Sequence, residues 1–306
     1  MLLQKAFENR FSGMMVPQQE TKPNRKSRKW ALLFGVFALA ATMIYGLFSV
    51  GMASINRTLD AHSKLVLSRH GFVEYSQWGT GPAVLVVHGA GGGHDQSRLI
   101  AQAFAGGNHR WIAVSRFGYL RSTLPEDASP RAQAEAFSDL LDGLAIDRAA
   151  IVAMSGGVPP ALKFAEHFPD RTSALVLLSS APFTPLTVAD QKLSIPAWLY
   201  QMLFSSDFIF WFIVQLTPDS LDRFFDLSPA ARMKLSPNDK TFVDGLVSTF
   251  LPVTRRLDGL RNEGAAINPS TVYTLSDIAA PTLVIHAKDD SINPFPIGEH
   301  VARGIT

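Results

Sequence analysis

From residue 62 onward the chain alternates continuous apolar runs with amphipathic segments, and this rhythm limits the available folds more than any other feature. The runs are "AVLVVH" (83–88), "WIAVS" (111–115), "AIVAM" (150–154), "ALVLLS" (174–179) and "TLVIHA" (282–287). A strand with one wet face alternates polar and apolar residues, whereas a strand covered on both faces does not, so these runs predict strands of a buried sheet. "FVEYSQW" (72–78) does alternate, in the manner of an antiparallel strand. The clearest helical pattern between runs is "SPRAQAEAFSDLLDGLAI". There Ser129 can cap the helix, Pro130 fits its first turn, and Phe137, Leu140, Leu141 and Leu144 share one face. Strand–helix repetition requires right-handed crossovers and predicts an α/β fold: a mostly parallel sheet with helices on both faces. Ligands then belong at the carboxyl ends of the strands.

The chain has 306 residues, 47% hydrophobic and 18% charged, with a formal net charge of +2, which excludes disorder throughout. Outside the first 30 residues there is no basic stripe, so nucleic acid is not an expected partner. Cysteine is absent, which excludes disulfides, thiolate catalysis and cysteine-ligated metals. No cofactor or metal is expected, and the expected partner is a small-molecule substrate.

Charge is distributed unevenly near the start. Lys22, Arg25, Lys26, Arg28 and Lys29 precede a stretch from Trp30 to Asn56 that carries no charge. As a helix, residues 31–53 would measure roughly 34 Å, enough to cross a hydrocarbon core of about 30 Å. The expected organisation is therefore a basic cytoplasmic tail (1–29), a transmembrane anchor (30–54) and a folded domain (62–306). The positive-inside rule keeps the tail cytoplasmic and sends the domain across the membrane. A cleaved signal peptide is the competing reading, but its apolar region would be shorter and followed by a small-residue cleavage site.

Between "LVLLSSAPFTP" and "DIAAPTLVIHA" the alternation breaks for roughly 90 residues, too long for a loop without structure of its own. This stretch, about 184–272, is expected to be a helical cap. Its aromatic residues, among them Trp198, Phe204 and Phe208, suit an apolar substrate lining or a membrane-facing surface. Asp207 interrupts the apolar run, which is too short to span a bilayer.

The strand "AIVAM" is followed at once by Ser155, Gly156, Gly157 and the helical "VPPALKFAEHF". A serine on such a sharp strand-to-helix turn needs small neighbours, and Ala153 and Gly157 supply them. The pattern matches Gly-x-Ser-x-Gly, in which the hydroxyl stands above the sheet and the next N–H faces a developing oxyanion, except that Ala153 replaces the first glycine. The plainer role is a serine that caps the helix. Two further features belong to the same edge of the sheet: the glycine loop "HGAGGGHDQ" (88–96) and the acidic loop "HAKDDSINP" (286–294). The glycine loop lacks the third glycine of a dinucleotide fingerprint, His94 standing there, and has no phosphate-loop lysine.

With these motifs the sequence resembles the α/β-hydrolase superfamily over about residues 65–306. The resemblance implies Ser155 as nucleophile and an oxyanion hole formed by the N–H of Gly156 with that of Ala90 or Gly91. It implies Asp290 as the acid, with Asp289 as second choice, and a substrate pocket beneath the cap, where His94 could also line the site. The family order is serine, acid, histidine. Only His300 follows Asp290, on an expected helix, so the histidine and the last strand and helix are expected beyond Thr306. The expected activity is a serine hydrolase cleaving an ester-type bond of a small or apolar substrate through an acyl-enzyme. A carbon–carbon bond hydrolase using the same parts, or a non-catalytic membrane-bound binding protein, are the alternatives.

Overall fold

The computed structural model describes residues 25–104, 106–184, 186 and 197–305. Most of the expected basic tail, residues 1–24, and the first stretch of the expected cap, residues 187–196, lie outside the described residues. The chain divides into two compact units, Met1–Ser49 and Val50–Thr306.

The first described element is helix α1 (Arg25–Ala61). Within it, Arg28–Ala61 is long and apolar enough to cross a membrane, with a mean hydropathy of 2.1 in its most apolar window. The helix runs past the expected anchor end at residue 54. From Met52 to Ala61 the residues keep a helical period: Met52 and Leu59 are buried and Ile55 and Asn56 half-buried on one face.

The larger unit is built on a seven-stranded sheet in the order β1-β2-β4-β3-β5-β6-β7. β1 (Lys64–Ser68) and β2 (Gly71–Trp78) pair antiparallel, and β2 pairs antiparallel with β4 (Arg110–Val114). β3 (Ala83–Val87), β4, β5 (Ala149–Met154), β6 (Thr172–Leu178) and β7 (Thr282–Ile285) are parallel. The five continuous apolar runs are these five parallel strands. Leu85, Ile112 and Ile151 are fully buried, each contributing on the order of 1.5–3 kcal/mol by leaving water.

Crossovers are made by α2 (His94–Ala103), α3 (Pro130–Gly143) and α4 (Val158–His167). Ser129 caps α3 as its spacing predicts, accepting from Ala132 N–H at 3.2 Å. Between β6 and β7 the described chain forms helices α5 (Ala197–Phe204), α6 (Asp207–Leu216), α7 (Pro229–Lys234), α8 (Pro237–Ser248) and α9 (Leu257–Arg261), with short 3-10 turns. α10 (Phe295–Gly304) follows β7. The helical insertion rests on α2 and on the loop after β4. Arg256, with no exposed surface, grips Asp95 through two hydrogen bonds of 3.0 and 2.7 Å, and Gly259 N–H donates to Gly118 O at 2.9 Å.

Candidate active site

β5 lies between β3 and β6, so its carboxyl end opens at the middle of the sheet. Ser155 follows it directly with φ +49°, a left-handed conformation costly for any residue with a Cβ. Strand and helix meet so closely here that a Cβ on Gly157 would stand 2.6 Å from His88 O and 2.8 Å from Val87 O, both backbone atoms. No side chain fits there, which is why glycine is needed. The strained turn holds Ser155 half-buried at the edge.

The loop after β3 passes over the serine: a Cβ on Gly89 would lie 3.2 Å from Ser155 Cβ. His88 holds this loop from beneath. Its ring is fully buried, Nδ1 bonds Gly89 O at 2.6 Å, and Nε2 accepts from Arg116 N–H at 2.9 Å. Accepting at Nε2 requires a neutral ring, and burial, aided by the nearby Arg116 cation, keeps its pKa well below the usual 6.5. Gly91 has φ +74°, and a Cβ on it would overlap the ring of Phe250. Its N–H donates to Tyr119 Oη at 3.3 Å. Gly91 N–H is thus occupied by Tyr119, whereas Ala90 and Gly156 show no hydrogen bond from their N–H groups to any side chain or loop carbonyl among the described residues.

On the other side of Ser155 stands the loop after β7. Asp290 Oδ1 accepts from the N–H groups of Ile292 and Asn293 at 3.0 and 2.8 Å, and its Oδ2 accepts from Ser179 Oγ at 2.6 Å. Asp289 is exposed. The acid loop is pinned by His286, whose Nε2 bonds Asn293 O at 2.6 Å and lies 3.7 Å from Asp290 Oδ2.

Asn293, which the sequence reading passed over, completes the contact. Its buried amide Nδ2 donates to Ser155 Oγ at 3.2 Å, and to Ser179 O and Oγ at 3.0 Å each. A chain of polar groups therefore runs from Ser155 through Asn293 and Ser179 to Asp290. An amide can hold the serine oxygen but cannot take its proton. None of the eight histidines bonds Ser155 among the described residues. His300 is exposed on α10, its ring 6.2 Å from that of Phe183.

The loop after β4 contributes a second missed group. Arg116, buried, donates to Gly89 O at 3.2 Å and pairs with Glu263, which also accepts from Tyr119 Oη. Burial raises the Tyr119 pKa well above 10, and the adjacent Glu263 carboxylate raises it further. Glu263 lies 147 positions from Arg116 in the chain, and no local pattern ties the two together.

The expected substrate-lining residues are dispersed. His94 is buried with both ring nitrogens lacking a hydrogen bond, Nε2 being 3.9 Å from Glu74 Oε1. Burial lowers its pKa, against the pull of Glu74. Trp198 is 66% exposed. Phe204 is buried, its ring 5.6 Å from Phe210 and 5.5 Å from Phe250. Phe208 is half-buried against Trp211 and Phe212. Among the described residues no cluster of His, Asp and Glu could hold a metal ion.

A parallel sheet with an antiparallel edge, a left-handed serine after its central strand and a carboxylate loop across from it describe an α/β hydrolase. The profile of the alpha/beta hydrolase fold matches residues 82–295, and the chain belongs to that family. It is 28% identical over 244 residues to a 2-hydroxy-6-oxononadienedioate/2-hydroxy-6-oxononatrienedioate hydrolase of Burkholderia vietnamiensis, covering 74% of this chain and 77% of that one. An alpha/beta hydrolase fold protein from Nakamurella multipartita superposes with a TM-score of 0.70 at 27% identity, over 80% of this chain and 87% of that one. A membrane phospholipase A shares the fold at 18% identity, with a TM-score of 0.57 over 92% of this chain and 88% of that one.

Proposed function

We propose that this α/β hydrolase is a membrane-anchored serine hydrolase that cleaves an ester-type bond of a small or apolar substrate. Ser155 Oγ attacks the carbonyl, and the N–H groups of Gly156 and Ala90 receive the oxyanion. Gly91 is the weaker candidate for that role because its N–H already serves Tyr119. This chemistry requires a histidine base beside Asp290 to take the serine proton and later deliver it to the leaving group, so that water can release the acyl-enzyme; among the described residues Asn293, not a histidine, bonds Ser155 Oγ. That imidazole must displace the Asn293 amide from Ser155, and His300, the one histidine after Asp290, is poorly placed to do so.

The observation that carries the reading is Ser155 at φ +49° on the turn after the central strand, a strain found where a hydroxyl must be presented. A fluorophosphonate probe should label the protein, and p-nitrophenyl esters of graded chain length should be hydrolysed, with Ser155→Ala removing both signals. A Ser155→Ala protein that still labels and turns over would place the nucleophile elsewhere.

Carbon–carbon bond hydrolysis by the same residues is the second reading, supported by the likeness to the Burkholderia enzyme. Turnover of a 2-hydroxy-6-oxo dienoate faster than any ester would favour it. The basic cluster before the uncharged stretch of α1 supports a cytoplasmic N-terminus and a domain on the far side. A topology reporter fused after residue 60 and active only in the cytoplasm would overturn that orientation.

A further inference from the structure

Helix α6 reads "DFIFWFIVQL", apolar on every side between Asp207 and Gln215. Its 10 residues make a rod of about 15 Å, half of what a hydrocarbon core requires. A helix apolar all round normally sits inside a core, yet here only Phe210 is buried. Phe208, Ile209, Trp211, Phe212, Ile213 and Val214 are half-buried, and Leu216 is 64% exposed. Helical spacing puts Ile209, Phe212, Ile213 and Leu216 on one face, turned away from Phe210.

The position of α6 is fixed relative to the end of the apolar stretch of α1. A Cβ on Gly51 would meet Trp211 Nε1 at 3.4 Å. Asp207 accepts from Thr254 N–H at 3.0 Å and from Thr254 Oγ1 at 2.6 Å. The next residue, Arg255, donates to Asn56 Oδ1 at 2.7 Å and to Asp60 Oδ1 at 2.8 Å. Helix α6, residues 254–255 and the last turns of α1 are thereby tied together. The uncharged stretch ends at Asn56, so Gly51 stands about 8 Å below its end along the helix, within the depth of one headgroup region.

We propose that α6 lies in the lipid–water interface beside the point where α1 leaves the bilayer, with Phe212, Ile213 and Leu216 against lipid. The inference rests on α1 being a membrane anchor. Trp211 at Gly51 then falls at the level where tryptophan is favoured in membrane proteins. The single charge of the helix, Asp207, lies at its first residue and is hydrogen-bonded by Thr254, so the rest of the helix can enter the headgroup boundary without burying a charge. On its inner side Phe210 stacks 6.0 Å from Phe250, the ring that closes over Gly91. The lipid face and the glycine loop are thus two sides of one aromatic layer.

The absence of cysteine from the 306 residues allows nitroxide labels to be placed singly on this chain in phosphatidylcholine vesicles. Leu216→Cys and Phe212→Cys report on the proposed face, Phe37→Cys on the anchor, and Asp170→Cys, just before the amino end of β6, on bulk water. Leu216 is exposed enough that its label leaves the fold intact even if Phe212→Cys does not. Collisional relaxation by oxygen should exceed that by a nickel chelate at 216, 212 and 37, with the order reversed at 170. Water-like values at 216 and 212 with a lipid-like value at 37 would overturn the docking and leave the anchor standing. Water-like values at 37 as well would overturn both. Labels at 216 and 212 shielded from both agents, with spin–spin broadening as protein is concentrated in the vesicles, would mean that a second copy covers the helix, which also overturns the proposal.

Discussion

Replacing Ser155 in two ways separates its chemistry from its strain. Both Ser155→Ala and Ser155→Gly remove the hydroxyl and the hydrogen bond from Asn293, a loss of about 1 kcal/mol common to the two. Alanine keeps a Cβ at φ +49° and with it a left-handed penalty of about 1–2 kcal/mol. Glycine removes that penalty but adds about 0.5–1 kcal/mol of unfolded-chain entropy. Ser155 is only half-buried, so the missing Cβ leaves no closed cavity. The balance favours Ser155→Gly over Ser155→Ala by about 0.5–1 kcal/mol, or about 2 °C in melting temperature for a domain of this size. Thermal unfolding followed by tryptophan fluorescence reads the difference, while fluorophosphonate labelling should be lost in both. A Ser155→Ala protein melting at or above Ser155→Gly would refute a left-handed turn at the serine.

Other perturbations follow from the same geometry. Arg256→Met should lower stability by about 3 kcal/mol, the low end for breaking a buried pair because Asp95 keeps some contact with water, read as a drop in urea midpoint. Gly157→Ala should cost at least 1–3 kcal/mol, because the added methyl meets backbone oxygens of residues 87 and 88, and it should slow labelling of Ser155. His88 is held neutral when folded but takes up a proton near pH 6.5 when unfolded. Stability should therefore fall as pH drops below about 6.5, by up to about 1.4 kcal/mol per pH unit, and His88→Asn, though less stable at pH 7, should flatten that slope in urea titrations from pH 7 to 5.

What the sequence revealed depended on how local the governing physics is. The five parallel strands were legible because burial on both faces writes itself as a continuous apolar run. β1 was missed: "KLVLS" is short, lies at the sheet edge with Leu65 and Leu67 exposed, and carries no such run. Ser155 stood out because a tight strand-to-helix turn demands small residues beside it in the chain. Asn293 did not, since an asparagine in "SINP" looks like any turn residue until folding brings it across 138 positions to Ser155. The Arg116–Glu263 pair was hidden for the same reason. The stretch between β6 and β7 was legible as helical but not by residue: Phe204 and Phe210 are packed inside it, whereas Trp198 is at the surface.

The contact of Phe250 with Gly91 has an evolutionary consequence. The ring from the insertion occupies the volume that any side chain at position 91 would need, and the left-handed backbone there disfavours a side chain as well, so position 91 is held at glycine twice over. Lineages that trim residue 250 to a small side chain still need glycine at position 91 for its left-handed backbone, and lineages that remodel the insertion without replacing the ring leave the loop above Ser155 without its cover. The dependence runs one way: glycine at 91 should persist where the ring at 250 has been lost, whereas a ring at 250 should be found only in descendants that keep glycine at 91.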